Sequence, residues 1–168
     1  MSVIANTTII SNFASLGTLN LLRLCWPTLH ISEQVFTEIQ TGLEQGYTFY
    51  ASIERILFPL AEDGWLKLTS MQTEAERVQY GKQLGKLHHG EASCLAIAHE
   101  RNWMFLTDDK AARAAGKRLG IPISGTLGSL VRLIKQEQLA FDDAEKMLKK
   151  LMANGYYAPV NSLSELDF

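Results

Sequence analysis

Short apolar runs, each too brief for a helix and most followed by a helical pattern, recur along this 168-residue chain. They are "VIAN" at Val3–Asn6, "TLHIS" at Thr28–Ser32, "WLKLTS" at Trp65–Ser70, "WMFLT" at Trp103–Thr107 and "IPIS" at Ile121–Ser124. Runs of this length bounded by turn-forming residues read as buried strands. Between them, "TIISNFASLGTLNLLRLC" reads as two short helices broken at Gly17. Ser32 is placed to cap a helix whose apolar stripe is Val35, Phe36, Ile39 and Leu43. "TFYASIERILFPLAEDG" reads as a further helical stretch closed by Pro59 and Gly64. Gln72–Leu87 and Glu91–Glu100 read as helices, as does Asp109–Leu119, which Gly120 ends. Thr126 is placed to cap a helix running to about Gln136, and Ala140–Met152 makes another before Gly155. Strands alternating with helices predict an α/β fold with a mainly parallel sheet, because a parallel connection needs a crossover, usually a helix. Residues after Gly155 carry no pattern that assigns them an element.

The length suits one domain with a substantial core. A formal net charge of −2 excludes a chain that is basic throughout, so any nucleic acid would be held by a local patch. Cys25 and Cys94 are far apart and lack metal-type spacing, which predicts reduced thiols in a cytoplasmic protein. The N-terminal "MSVIANTTIISNFASLG" has no basic n-region and no apolar run of membrane-spanning length, so no membrane association is expected.

Ligands of open parallel sheets bind beyond the carboxyl ends of the strands. Two such ends carry oxygen-bearing side chains: Asn6 after "VIA", and Thr107, Asp108 and Asp109 after "MFL". Adjacent carboxylates repel, so Asp108 and Asp109 suggest a cation between or beside them. Glu91 shares a helix face with Leu95 and Ala98, and Glu38 lies beside the stripe of Val35 and Ile39. A carboxylate on an apolar face is costly without a partner. Each acid also has a plainer alternative. Asp108 and Asp109 can cap a helix, Glu91 can answer the dipole of a helix start, and Glu38 can be a rim charge.

Taken together, these residues resemble the PIN-domain family of metal-dependent nucleases. "VIANTTIISNFASLGTLNLL" is similar to its first strand and helix, with Asn6 where the family usually has Asp and Thr7 or Thr8 as the following hydroxyl residue. "ISEQVFTEI" matches the helix bearing the second acid, Glu38, and "GEASCLAIA" the third, Glu91. "FLTDDKAAR" matches the strand end with its Thr-x-Asp pattern, at Asp109. "GIPISGTLGSLVRLIKQEQL" resembles a toxin-like prokaryotic branch, and the resemblance spans about residues 2–139 of a single domain with a helical extension over 140–168.

The resemblance implies a Mg2+- or Mn2+-dependent ribonuclease with Asn6, Glu38, Glu91 and Asp109 at its catalytic centre. Glu38, Glu91 and Asp109 would hold the metal, with Asp108 beside them as a further acid or a helix cap. It also implies the toxin half of a toxin–antitoxin pair, often homodimeric and silenced by a small antitoxin protein. Eight of the 16 Lys and Arg residues lie between Arg77 and Arg118, a candidate RNA-backbone patch that includes Lys86, Lys110 and Arg113. Solvated helix faces are the alternative there. Because Asn6 offers a neutral oxygen in place of a carboxylate, a catalytically impaired module that binds RNA or protein is the rival reading. A phospho-receiver-like domain also uses paired acids on a parallel sheet, but its pair should follow the first strand, where this chain has Asn6.

Overall fold

The computed structural model describes residues 1–168. The strands are β1 (Val3–Ala5), β2 (Leu29–Ser32), β3 (Leu57–Phe58), β4 (Leu66–Thr69), β5 (Met104–Leu106) and β6 (Ile123–Ser124). They form one sheet in the order β3-β4-β2-β1-β5-β6, and every pairing in it is parallel. The helices are α1 (Thr7–Ser15), α2 (Leu19–Cys25), α3 (Glu33–Glu44), α4 (Glu74–Gln83), α5 (His89–Arg101), α6 (Lys110–Arg118), α7 (Thr126–Lys135) and α8 (Phe141–Ala153).

The order of the strands determines where a ligand can enter. β1 is flanked by β2 on one side and by β5 on the other. The chain leaves β1 towards one half of the sheet and returns later on the opposite half, which opens a crevice at the carboxyl ends of β1 and β5. Asn6 and Thr107–Asp109 lie at that crevice because each immediately follows one of those two strands.

Local signals account for most element boundaries. Ser32 caps α3 by accepting the Val35 N–H at 3.1 Å, and Asn6 caps α1 by accepting the Ile9 N–H at 3.5 Å. Gly17 and Gly120 take positive φ of 68° and 71° after α1 and α6, a conformation in which Gly avoids the Cβ clash. α5 is buried along most of its length through Gly90, Ala92, Ser93, Cys94, Leu95, Ala96, Ile97 and Ala98. Its small side chains let it approach α3, α4 and α6 as well as β1, β2 and β5. Phe105, Ile4, Leu29 and Leu66 fill the sheet side of one continuous core.

Two expectations need correction, and the tail that carried no pattern finds its place. Thr48–Gly64 is not a helix: it forms two single 3-10 turns, Thr48–Tyr50 and Ile53–Arg55, followed by β3. Its apolar spacing serves burial of Tyr50, Ile53 and Leu57 from a winding segment, so periodicity there reports packing rather than a helix. α7 is capped at its start by Asp108 and not by the Thr126 side chain, since the Asp108 carboxylate accepts the Thr126 N–H at 2.9 Å. The tail is ordered against the body: Leu163 is fully buried, and its N–H donates to Glu145 of α8 at 2.8 Å.

Arg101, one of the eight cations of the expected basic patch, is committed elsewhere. Its Nε donates to the buried Glu76 at 2.6 Å, and its other nitrogens donate to Thr69 and to the Ser70 carbonyl. Burial opposes the charge on Glu76, but Arg101 and the amides of Gln72 and Thr73 outweigh it and hold the carboxyl below its ordinary range. A carboxyl held low contributes stability above its unfolded-state pKa, and that contribution is lost as the pH falls through the folded-state value. Glu76→Gln should therefore lower stability by about 2 kcal/mol at neutral pH, as expected for hydrogen bonds to a charged group. The deficit relative to wild type should close on acidification in a urea titration. A deficit that stays constant down to acid pH would assign the loss to packing and not to charge.

Candidate metal and nucleic-acid site

The crevice at the ends of β1 and β5 is a cleft of about 550 Å3 lined by Thr8, Asn12, Glu91, Asp108, Asp109, Lys110 and Asn154–Tyr157. Asn6 is buried and lies outside that lining, joined to it through Thr8. Its Nδ2 donates to Thr107 Oγ1 at 2.9 Å, and its Oδ1 accepts from Thr8 Oγ1 at 2.8 Å. The Asp109 N–H donates to the same Thr107 hydroxyl at 3.2 Å, so Thr107 ties the two strand ends together.

The adjacent aspartates have separate tasks. Asp108 accepts the N–H of Thr126 with one oxygen, and with the other it accepts the Thr126 hydroxyl at 2.5 Å and the Asn12 amide at 3.3 Å. Burial pushes its carboxyl up, and the hydrogen bonds from Thr126 oppose that rise. A Cβ at Gly125 would collide with the Asp108 carboxylate, so glycine is what lets this acid reach the start of α7. Asp109 caps α6 through Oδ1, which accepts the Ala112 N–H at 2.7 Å, and its other oxygen carries no hydrogen bond.

The two glutamates meet at the start of α5. Glu91 is half-buried and accepts the His88 N–H at 3.2 Å with one oxygen. Burial pushes its pKa up, and the charges of Asp109 and Glu38 add to the rise. Glu38 accepts the Gly90 N–H at 2.9 Å and the Thr7 hydroxyl. A Cβ at Gly90 would come within 2.5 Å of the Glu38 carboxylate, so the approach depends on that glycine. Glu38 thus stands behind Glu91, and Glu91 and Asp109 line the cleft itself.

A divalent ion suits this donor set in kind. Carboxylate oxygens are the ligands that Mg2+ and Mn2+ prefer. Glu91 and Asp109 each keep one oxygen free of hydrogen bonds, and burial first, then the charge of Asp109, disfavours the Glu91 carboxylate. In number the set is small. No three His, Cys, Asp or Glu side chains gather closely enough to enclose an ion on their own. Both oxygens of Glu38 and of Asp108 already accept hydrogen bonds, and Asn6 Oδ1 accepts one from Thr8.

Of the expected RNA-backbone residues, Lys110 lines the cleft and places its ammonium 4.8 Å from the ring centroid of Tyr157. Arg113 donates to the carbonyls of Thr107 and Ser124 at 2.8 and 3.2 Å, which braces β5 against β6. Lys86 is exposed between α4 and α5, outside the cleft lining. Asn12, Tyr156 and Tyr157 belong to the cleft and escaped the sequence reading. The paired tyrosines after Gly155 were a visible signal, but nothing local showed that the tail folds back over the strand ends.

A family model described as a PIN domain (DUF3368) matches residues 2–166. No curated protein matches the chain. Among solved structures, a PilT N-terminus domain protein from the hyperthermophilic archaeon Sulfolobus solfataricus P2 is similar at 12% identity and a TM-score of 0.49. The match covers 94% of this chain and 99% of that one.

Proposed function

This chain belongs to the PIN-domain family, and on that premise we propose that its cleft is the site of a Mg2+- or Mn2+-dependent ribonuclease. The family carries a nuclease-type fold whose members are in general dependent on divalent metals. The observation that supports the reading is the sharing of one cleft by Glu91 and Asp109 at the carboxyl edge of the sheet.

Glu91 and Asp109 would hold the ion, and Glu38 adds negative charge from behind Glu91. A bound divalent ion supplies an activated water and stabilises the leaving oxygen in phosphodiester hydrolysis. The chain's own groups do the positioning. Thr107 keeps Asp109 in register with Asn6, the start of α5 orients Glu91, and Lys110 at the rim offers a cation to a backbone phosphate. A toxin role, a small antitoxin partner and a homodimer rest on the resemblance of residues 120–139 to the toxin-like branch. No helix is long and apolar enough to cross a membrane.

A second reading is favoured by Asn6 and by the hydrogen bonds that already occupy Glu38: a PIN-like module that binds RNA or protein without cutting it. Metal titration with melting as readout separates site from bystander. An ion that binds only the folded state stabilises it by mass action, by about 2.7 kcal/mol at a hundredfold excess over Kd. Millimolar Mn2+ should raise the Tm of the wild type, and Glu91→Gln or Asp109→Asn should lose most of the gain. Equal gains in all three proteins would place the ion elsewhere and remove the metal site.

A further inference from the structure

The tail that closes one side of the acidic cleft also closes a second cavity. Residues 154–157 wall the cleft, and on the other side of Tyr156 and Tyr157 lies a pocket of about 330 Å3. This is the lower end of the size range of small-ligand sites, roughly 300–1,000 Å3. Its sides are the apolar Ile123, Leu127 and Pro159 and the two tyrosines, with Arg113 among the lining residues. Asp108, Lys110, Tyr156 and Tyr157 line both cavities, so the two are contiguous.

We propose that this pocket is a nucleobase subsite, taking the base of the nucleotide whose phosphate lies at the Glu91–Asp109 cleft. The proposal rests on the ribonuclease reading for what occupies the cleft, but base binding itself requires neither metal nor cleavage. Three features select a base over other small ligands. Apolar walls with an aromatic ring suit a flat π-face, and stacking on aromatic side chains is the common way that proteins hold unpaired bases. Tyr157 is 77% exposed, so its ring can receive a partner without being dislodged from a core. The Lys110 ammonium at 4.8 Å orients that ring and, standing on the border of the two cavities, is placed to meet a phosphate that links them.

Tyr156 supplies a polar handle. It lines both cavities beside Asp108 and brings to them a phenol hydroxyl, which like any ordinary tyrosine is protonated at neutral pH. Arg113 Nη1 donates to two backbone carbonyls, which holds its guanidinium rigidly at the pocket. A lone exposed tyrosine on a surface would mean little. Here the ring stands at the mouth of a pocket that shares four residues with the acidic cleft.

The test is titration of the full chain with AMP, GMP, CMP and UMP in the presence of EDTA, followed by NMR, with ribose 5-phosphate as the baseless control. At least one nucleotide should bind in the millimolar range or tighter, with chemical-shift changes at Leu127 and Tyr157, and more tightly than ribose 5-phosphate. Tyr157→Ala should weaken binding by about tenfold or more, a change of roughly 1.4 kcal/mol. Tyr157→Phe, which keeps the ring, should retain it. A single-stranded oligoribonucleotide should compete for the same resonances, which separates RNA from a free nucleotide as the natural ligand. Competition failing while mononucleotides bind would overturn the assignment to RNA. Equal binding of ribose 5-phosphate, or affinity indifferent to Tyr157→Ala, would overturn the base subsite. Nucleotide binding without RNA cleavage would sink the ribonuclease reading alone, and cleavage indifferent to Tyr157→Ala would sink the subsite alone.

Discussion

Asn6→Asp is expected to raise Mn2+-dependent cleavage of single-stranded RNA by about tenfold or more, which needs only roughly 1.4 kcal/mol of added transition-state stabilisation. Asn6 is 2% exposed and tied through Thr107 to Asp109. A carboxylate there joins the charges of Glu91, Asp109 and Glu38. In chelator the added buried charge should lower the Tm, and Mn2+ should more than restore it, because a dication neutralises what would otherwise be repulsion. Asp109→Asn in the Asn6→Asp background should abolish cleavage while keeping α6 capped, since Asn caps helices as well as Asp. Efficient cleavage by the wild type with no gain from Asn6→Asp would make the carboxamide a working part of the site. No cleavage by either protein, with the fold intact by circular dichroism, would leave the binding-module reading.

Asp108→Ala should be the most destabilising change at the cleft. It removes the acceptor for the N–H and hydroxyl of Thr126 and for the Asn12 amide, and Thr126 is fully buried. Each buried group left without a partner costs about 1–3 kcal/mol, and these losses are coupled, so a total of about 3–5 kcal/mol is expected. For a chain of this length that is a fall in Tm of roughly 10 °C. Asp108→Asn keeps an acceptor for the Thr126 N–H and should lose less than half as much. The Tm gain from Mn2+ should survive in Asp108→Asn and vanish in Asp109→Asn. The opposite pattern, an unchanged Tm with the metal response lost from Asp108→Asn, would make Asp108 a metal ligand.

What the amino-acid sequence determined by itself was whatever depends on neighbours within a turn or two. The alternation of strands and helices predicted the parallel α/β sheet, and Ser32 and Gly120 end elements where their local chemistry says they should. The acids were legible as a set because each stands next to a strand end or an apolar stripe. Tertiary structure decided how each carboxylate is used, since the partners lie far along the chain. Asn6 meets Thr107 across 101 residues, Glu38 meets Gly90 across 52, and Asp108 meets Thr126 across 18. A carboxylate side chain has the same local preferences whether it caps a remote helix or faces an open cleft, so local chemistry left Asp108 and Asp109 equivalent and only the resemblance to the family told them apart. The winding course of Thr48–Gly64 and the return of Tyr156 and Tyr157 over the strand ends were equally invisible. Both are set by which apolar side chains find room in the core, and that depends on the strand order of the whole sheet.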